Sequence, residues 1–116
     1  MATSSRPTTR LRWLAGNLRG MHAAAMRVDL YLRECRSLKT KRSMVKPIVE
    51  GLRRRHHLSV AEVDHQDSWQ RTVVGVAAVA ASHGQLADVL AGAERFIWSF
   101  PDVEVLDVET RWLEQE

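Results

Sequence analysis

The spacing of apolar residues along this chain switches from alternate positions to a helical period and back, twice, and few folds accommodate that order. From Met26 the alternation is strict. Met26, Val28, Leu30 and Leu32 share one side and Arg27, Asp29, Tyr31 and Arg33 the other, the pattern of a half-buried strand. Ser37 then suits the N-cap of a helix reaching about His56, in which Leu38, Val45, Ile48, Val49 and Leu52 fall on one stripe. Pro47 lies inside that helix, where it removes a backbone bond at a cost of roughly 3 kcal/mol, so a kink is expected. LSVAEVD and, beyond the polar HQDS, WQRTVVGVAAVAAS read as an antiparallel hairpin, and the Val and Ala content of the second strand suits burial on both faces. Thr72, Val73, Val74, Gly75 and Val76 weigh against a helix there. A second helix follows in GQLADVLAGAERFIWSF, stopped by Pro101, and VEVLDVETRWL alternates as a last strand.

The order is therefore βαββαβ. Two helices on one face of a four-stranded antiparallel sheet, with the first and third strands central, make an α+β ferredoxin-like sandwich. At 116 residues and 45% hydrophobic the chain suits one domain with one core. We place that domain at residues 24–116, after a basic N-terminal extension over residues 1–23. The single cysteine, Cys35, excludes an internal disulfide and any Cys-rich zinc module. No run approaches the roughly 18 apolar residues of a membrane helix, and no signal peptide is evident, so a soluble, cytoplasmic protein without a membrane partner is expected.

Charge is distributed unevenly. Arg6, Arg10, Arg12 and Arg19 occupy the first twenty residues without an acid, so the net +3 of the whole chain comes from this segment. Its first ten residues, rich in Ser, Thr and Arg, are expected to be disordered, and LRWLAGNLRG to form a transient basic helix. Met21 and Met26 both precede the first strong pattern, so initiation at either would remove the segment. Residues 33 to 55 hold nine Lys or Arg against Glu34 and Glu50, whereas residues 72 to 116 hold eight acids against Arg95 and Arg111. Such polarity bears on partners more than on fold.

Three segments carry a family resemblance: RSLKTKRSMVKPIVEGLRRRHHLSVAEVDHQDSWQRTVVGVAAVA, the helix after it, and PDVEVLDVETRWL. Over about residues 26 to 113 the chain resembles the YlxP-like family, small bacterial proteins grouped as a domain of unknown function. The resemblance implies a ferredoxin-like fold and genes placed among those for translation initiation and ribosome maturation, and it brings no established catalytic residues. The family often has Glu where this chain has Thr40, which would have completed a capping box with Ser37.

Lys39, Arg42, Lys46 and Arg53 fall within an arc of about 60° on the first helix, beside the apolar stripe, with Arg54 following. Such a ridge suits contacts to several phosphates. A solvated helix face, whose final RRRHH complements the helix dipole, and a site for an acidic protein are the alternatives. The outward side of the first strand offers only Tyr31 for base stacking, so backbone contact with structured RNA fits better than sequence-specific stacking.

AEVDHQDSWQR, residues 61 to 71, is the other candidate. Asp64, His65 and Asp67, with a distant His83, have metal-binding atoms but none of the usual spacings, and Ser68 and Cys35 have no evident pairing with His65 as nucleophiles. The stretch reads first as a hairpin in which Asp64 and Asp67 satisfy turn amides and Trp69 packs across the strands. His65, Gln66 and Arg71 at its tip form a candidate recognition surface. Trp98, Trp112, Phe96 and Phe100 read as core and edge packing, and His56 and His57 as helix-end residues.

These readings converge on a non-enzymatic, RNA-associated accessory factor in ribosome maturation or translation. No metal, cofactor or small-molecule substrate is implied. The alternative is a protein-interaction or self-assembly module in which the basic face meets the acidic last strand, with a homo-oligomer as its product.

Overall fold

The structure, a computed structural model, describes residues 19–113. The expectations for the basic segment over residues 1–18 lie outside the described residues. Six elements follow in the order β1 (His22–Leu32), α1 (Leu38–His56), β2 (Ser59–Asp64), β3 (Arg71–Ala80), α2 (His83–Trp98) and β4 (Val103–Leu113). The sheet is antiparallel with strand order β2-β3-β1-β4, so β1 and β3 are central, and the arrangement is ferredoxin-like.

The core lies between the helices and one face of the sheet. Val28, Leu30 and Leu32 from β1, Val74 and Val76 from β3, Ile48 and Leu52 from α1, and Leu86 and Ile97 from α2 are all buried. Burying one such side chain contributes roughly 1.5–3 kcal/mol, so the alternating and helical stripes are what drive the layers together. β1 begins four residues ahead of Met26, because Ala23, Ala24 and Ala25 pair with Ala77 to Val79 on one side and with residues 111 to 113 on the other. Alanines carry little alternation signal, which is why the sequence pattern starts late.

Both helices begin as their caps dictate. The Ser37 hydroxyl accepts from the Thr40 N–H at 3.0 Å and donates to the Thr40 hydroxyl, while Ser82 accepts from the Gln85 N–H at 3.1 Å. α1 runs through Pro47, whose ring faces solvent, as a single helix. It ends at His57, whose left-handed backbone (φ 54°) returns its N–H to the Leu52 carbonyl. Gly51 lets the helices approach, since a Cβ there would lie 2.6 Å from Phe96 Cε2.

The hairpin departs from expectation in two respects. Trp69 is 52% exposed, because it sits in the connection before β3 begins at Arg71 and has no strand beneath it. β3 is buried on both faces only over Thr72, Val73 and Val74, and its outward Ala77 and Val79 are exposed, since no layer of the described residues covers the far side of the sheet. β2 carries a bulge at Val63, between Glu62 opposite Val74 and Asp64 opposite Val73. Gly75 leaves room for it: a Cβ there would come within 3.0 Å of Val63 Cγ1.

Candidate nucleic-acid interface

The exposed side of α1 carries the basic residues, and the structure divides them into two groups. Lys39, Arg42 and Lys46 are exposed and make no hydrogen bond or ion pair among the described residues. They follow one another along the helix at rises of about 4.5 and 6 Å. Arg53 and Arg54 are engaged. The Arg53 guanidinium donates to the Val60 carbonyl on β2 at 2.7 Å, and Arg54 pairs with Glu50 one turn back at 3.1 Å with most of its side chain in water. The first contact braces the edge strand against α1, whereas the second is weak on solvation grounds.

Between this ridge and the hairpin runs a shallow groove of about 530 Å³, with Val45 and Val49 in its floor and Arg42, Lys46 and Asp67 among its lining. Glu50, Glu62 and Asp67 make its lining mixed in charge. Anion contact is therefore favoured on the outer flank of α1 rather than inside the groove.

Lys41 escapes the sequence reading and organises the site. It follows the apolar positions of the helix rather than the basic ones, and it is 3% exposed. Its ammonium reaches the His65 carbonyl at 2.6 Å, the Glu62 carboxylate at 2.9 Å and the Gln66 carbonyl at 3.4 Å. Glu62 in turn accepts from the hydroxyl of buried Thr72 at 2.6 Å. All three donors of the ammonium are thus answered, as a buried cation requires. The sequence signal was available: a lysine at four and seven residues from Val45 and Ile48 lies on the buried stripe, but its partners are 21 or more residues away and only folding supplies them.

The hairpin tip is held mainly through its backbone. His65 is left-handed (φ 59°), its N–H donates to the Asp64 carboxylate at 2.7 Å, and its carbonyl accepts from Lys41 and from the Ser68 N–H. The Gln66 amide donates to the Glu62 carbonyl at 3.2 Å. Arg71 is not at the tip surface in the expected sense, because it makes a two-oxygen ion pair with Asp29 on the open face of the sheet, both distances 2.8 Å. Of the three expected recognition residues only the His65 ring is without a partner among the described residues. Asp64 also pairs with Arg27 at 3.3 Å, whereas the Asp67 side chain makes no hydrogen bond among the described residues.

His83 lies at the opposite end of the sheet, stacked on Trp112 at 4.6 Å between centroids and edge-on to His22, so the fold does not bring it to Asp64, His65 and Asp67. Among the described residues no three His, Cys, Asp or Glu side chains converge. Cys35 is buried, its thiol donating to the Ser37 carbonyl at 3.5 Å. No described helix is long and apolar enough to cross a membrane. Among the described residues the open face of the sheet offers Tyr31, half-buried, with small residues such as Ala25, Gly75 and Ala77, the exposed Val63 and Val79, and the ion-paired Arg27, Asp29 and Arg71.

The family model described as "Protein of unknown function (DUF503)" matches residues 23–110. The uncharacterized protein YlxP of Bacillus subtilis (strain 168) is 40% identical over 76 residues, covering 66% of this chain and 83% of its own. Among solved structures, the de novo designed protein Foldit4 superposes with a TM-score of 0.51 at 17% identity, over 83% of this chain and 99% of that one, a likeness of fold alone.

Proposed function

This chain belongs to the DUF503 family, and we propose that it is a non-enzymatic, RNA-associated accessory factor acting in the cytoplasm in ribosome maturation or translation. The observation that carries this reading is the row of Lys39, Arg42 and Lys46, three exposed cations on one rigid helix with no carboxylate partner among the described residues. A helix holds such a row in register at no further ordering cost, and phosphates are the anions most densely presented by RNA. Among the described residues the open sheet face lacks a set of aromatic side chains, which favours contact with the sugar–phosphate backbone of structured RNA over stacking of bases. The gene neighbourhood implied by the family resemblance supports the ribosomal setting.

Retention on ribosomal subunits in a sucrose gradient at low salt, lost when Lys39, Arg42 and Lys46 are changed together to Glu, is the expected outcome. Arg53 is left out of that variant because it also braces β2. Absence of retention at any salt overturns the reading. The same variant separates the alternative, in which the basic face meets an acidic protein surface such as that of β4: loss of self-association without any RNA affinity in the native chain would favour it.

A further inference from the structure

Among the described residues, one edge of the sheet is closed and the other is open. On β2, Arg53 occupies the Val60 carbonyl, Gln66 occupies the Glu62 carbonyl, and the bulge at Val63 breaks the ladder. β4 is eleven residues long, and among the described residues the only side chain donating to the backbone of residues 103–112 is its own Arg111, 3.3 Å from the Thr110 carbonyl.

The hydrogen-bond pattern identifies which backbone groups that edge presents. The Leu32 N–H bonds to the Gln70 carbonyl toward β3, and the Arg33 N–H to the Asp102 carbonyl toward β4. Odd-numbered residues of β1 therefore turn their backbone groups to β4. Arg27 stands opposite Glu109 and Ala25 opposite Arg111. Glu109 and Arg111 thus bond inward to β1, and Val108, Thr110 and Trp112 present their N–H and C=O groups outward.

We propose that β4 pairs antiparallel with β4 of a second copy about a two-fold axis at Thr110, joining the two sheets into one of eight strands. Thr110 then bonds to its own counterpart and Val108 to the partner's Trp112, using the outward groups. On the open face Glu109 stands opposite the partner's Arg111, twice by symmetry, in the non-hydrogen-bonded position where side chains come closest. Charge selects this register over its neighbours. With the axis at Val108, Asp107 meets the partner's Glu109 twice; at Glu109, two Asp107–Arg111 pairs form but Glu109 meets itself between them; at Arg111, two guanidinium groups meet.

The test is sedimentation equilibrium of the full chain with single and mixed variants. The native chain is expected to dimerise, and Glu109→Arg and Arg111→Glu each to weaken the dimer roughly tenfold or more, since each sets like charges opposite twice. An equimolar mixture of the two variants recovers a dimer, because every position 109 again faces an opposite charge at position 111; a misfolded variant could not do this. Thr110→Pro removes an outward N–H and leaves the β1 ladder intact, so it is expected to be monomeric with an unchanged circular dichroism spectrum. A native chain that stays monomeric at millimolar concentration, or a mixture that fails to recover, overturns the proposal. The assignment of RNA contact to α1 uses none of these residues and stands or falls separately.

Discussion

The ammonium of Lys41, early in α1, lies 2.9 Å from the Glu62 carboxylate on β2 with 4% of its side chain exposed, so one ion pair fixes the basic helix to the hairpin. Substituting Lys41 by Met keeps most of the length of the side chain and removes the charge. The Glu62 carboxylate and the carbonyls of His65 and Gln66 then lose their donor, and a loss of about 2–4 kcal/mol in urea unfolding is expected. Hydrogen exchange should speed up first over residues 64–70. A cost below about 0.5 kcal/mol would show that water replaces the ammonium freely.

Arg53 and Arg54 are adjacent and equally basic, yet they should respond differently to truncation. Arg53→Ala removes the donor to the Val60 carbonyl and is expected to cost about 1 kcal/mol and to expose the β2 edge to association. Arg54→Ala should leave stability unchanged within error, because its pair with Glu50 is solvated. Equal effects in chemical denaturation would contradict this division.

If Lys39, Arg42 and Lys46 each meet one phosphate, the logarithm of RNA affinity should fall against the logarithm of salt with a slope of about −2 to −3. Each single change to Ala should reduce that slope by about 0.7–0.9, which titration at several salt concentrations reads directly. A slope unaffected by all three would move the contact elsewhere.

Gly51→Ala is expected to destabilise the fold by about 1 kcal/mol even though alanine is the better helix former, because the added methyl must displace the Phe96 ring. Thermal unfolding of Gly51→Ala beside Gly84→Ala, where nothing lies within 4 Å of the added methyl, isolates the effect of the contact.

The Cys35 thiol, 1% exposed and donating to the Ser37 carbonyl, should react with a chromogenic disulfide reagent only on unfolding. Rapid native labelling would show that the β1 to α1 connection opens readily.

The periodicities that defined β1 and both helices in the sequence are local, and each survives in the fold because burial of its stripe drives it, whereas the alternation of β4 is broken at Leu106, where its pairing with β1 shifts register. The cap at Ser37 was legible for the same reason: its partner lies three residues ahead. Trp69 was not, since whether an aromatic residue packs depends on a surface supplied by other segments, and here there is none. Lys41 failed in the opposite sense, a cation counted by type with the solvated ones until the fold placed carbonyls and a carboxylate around it.

The expected contacts of Arg53, Arg54 and Arg71 show the same limit. Helical geometry put Arg53 on the ridge, but only the approach of β2 gave it the Val60 carbonyl, and only the alignment of β3 with β1 set Arg71 against Asp29. By itself the sequence determined the order of elements, the layer each stripe faces and the family, because these follow from spacing along one chain. Tertiary structure decided which cations remain available to a partner and which edge of the sheet stays open. Both depend on pairings between residues distant in sequence, whose energy is realised only when the desolvated groups meet.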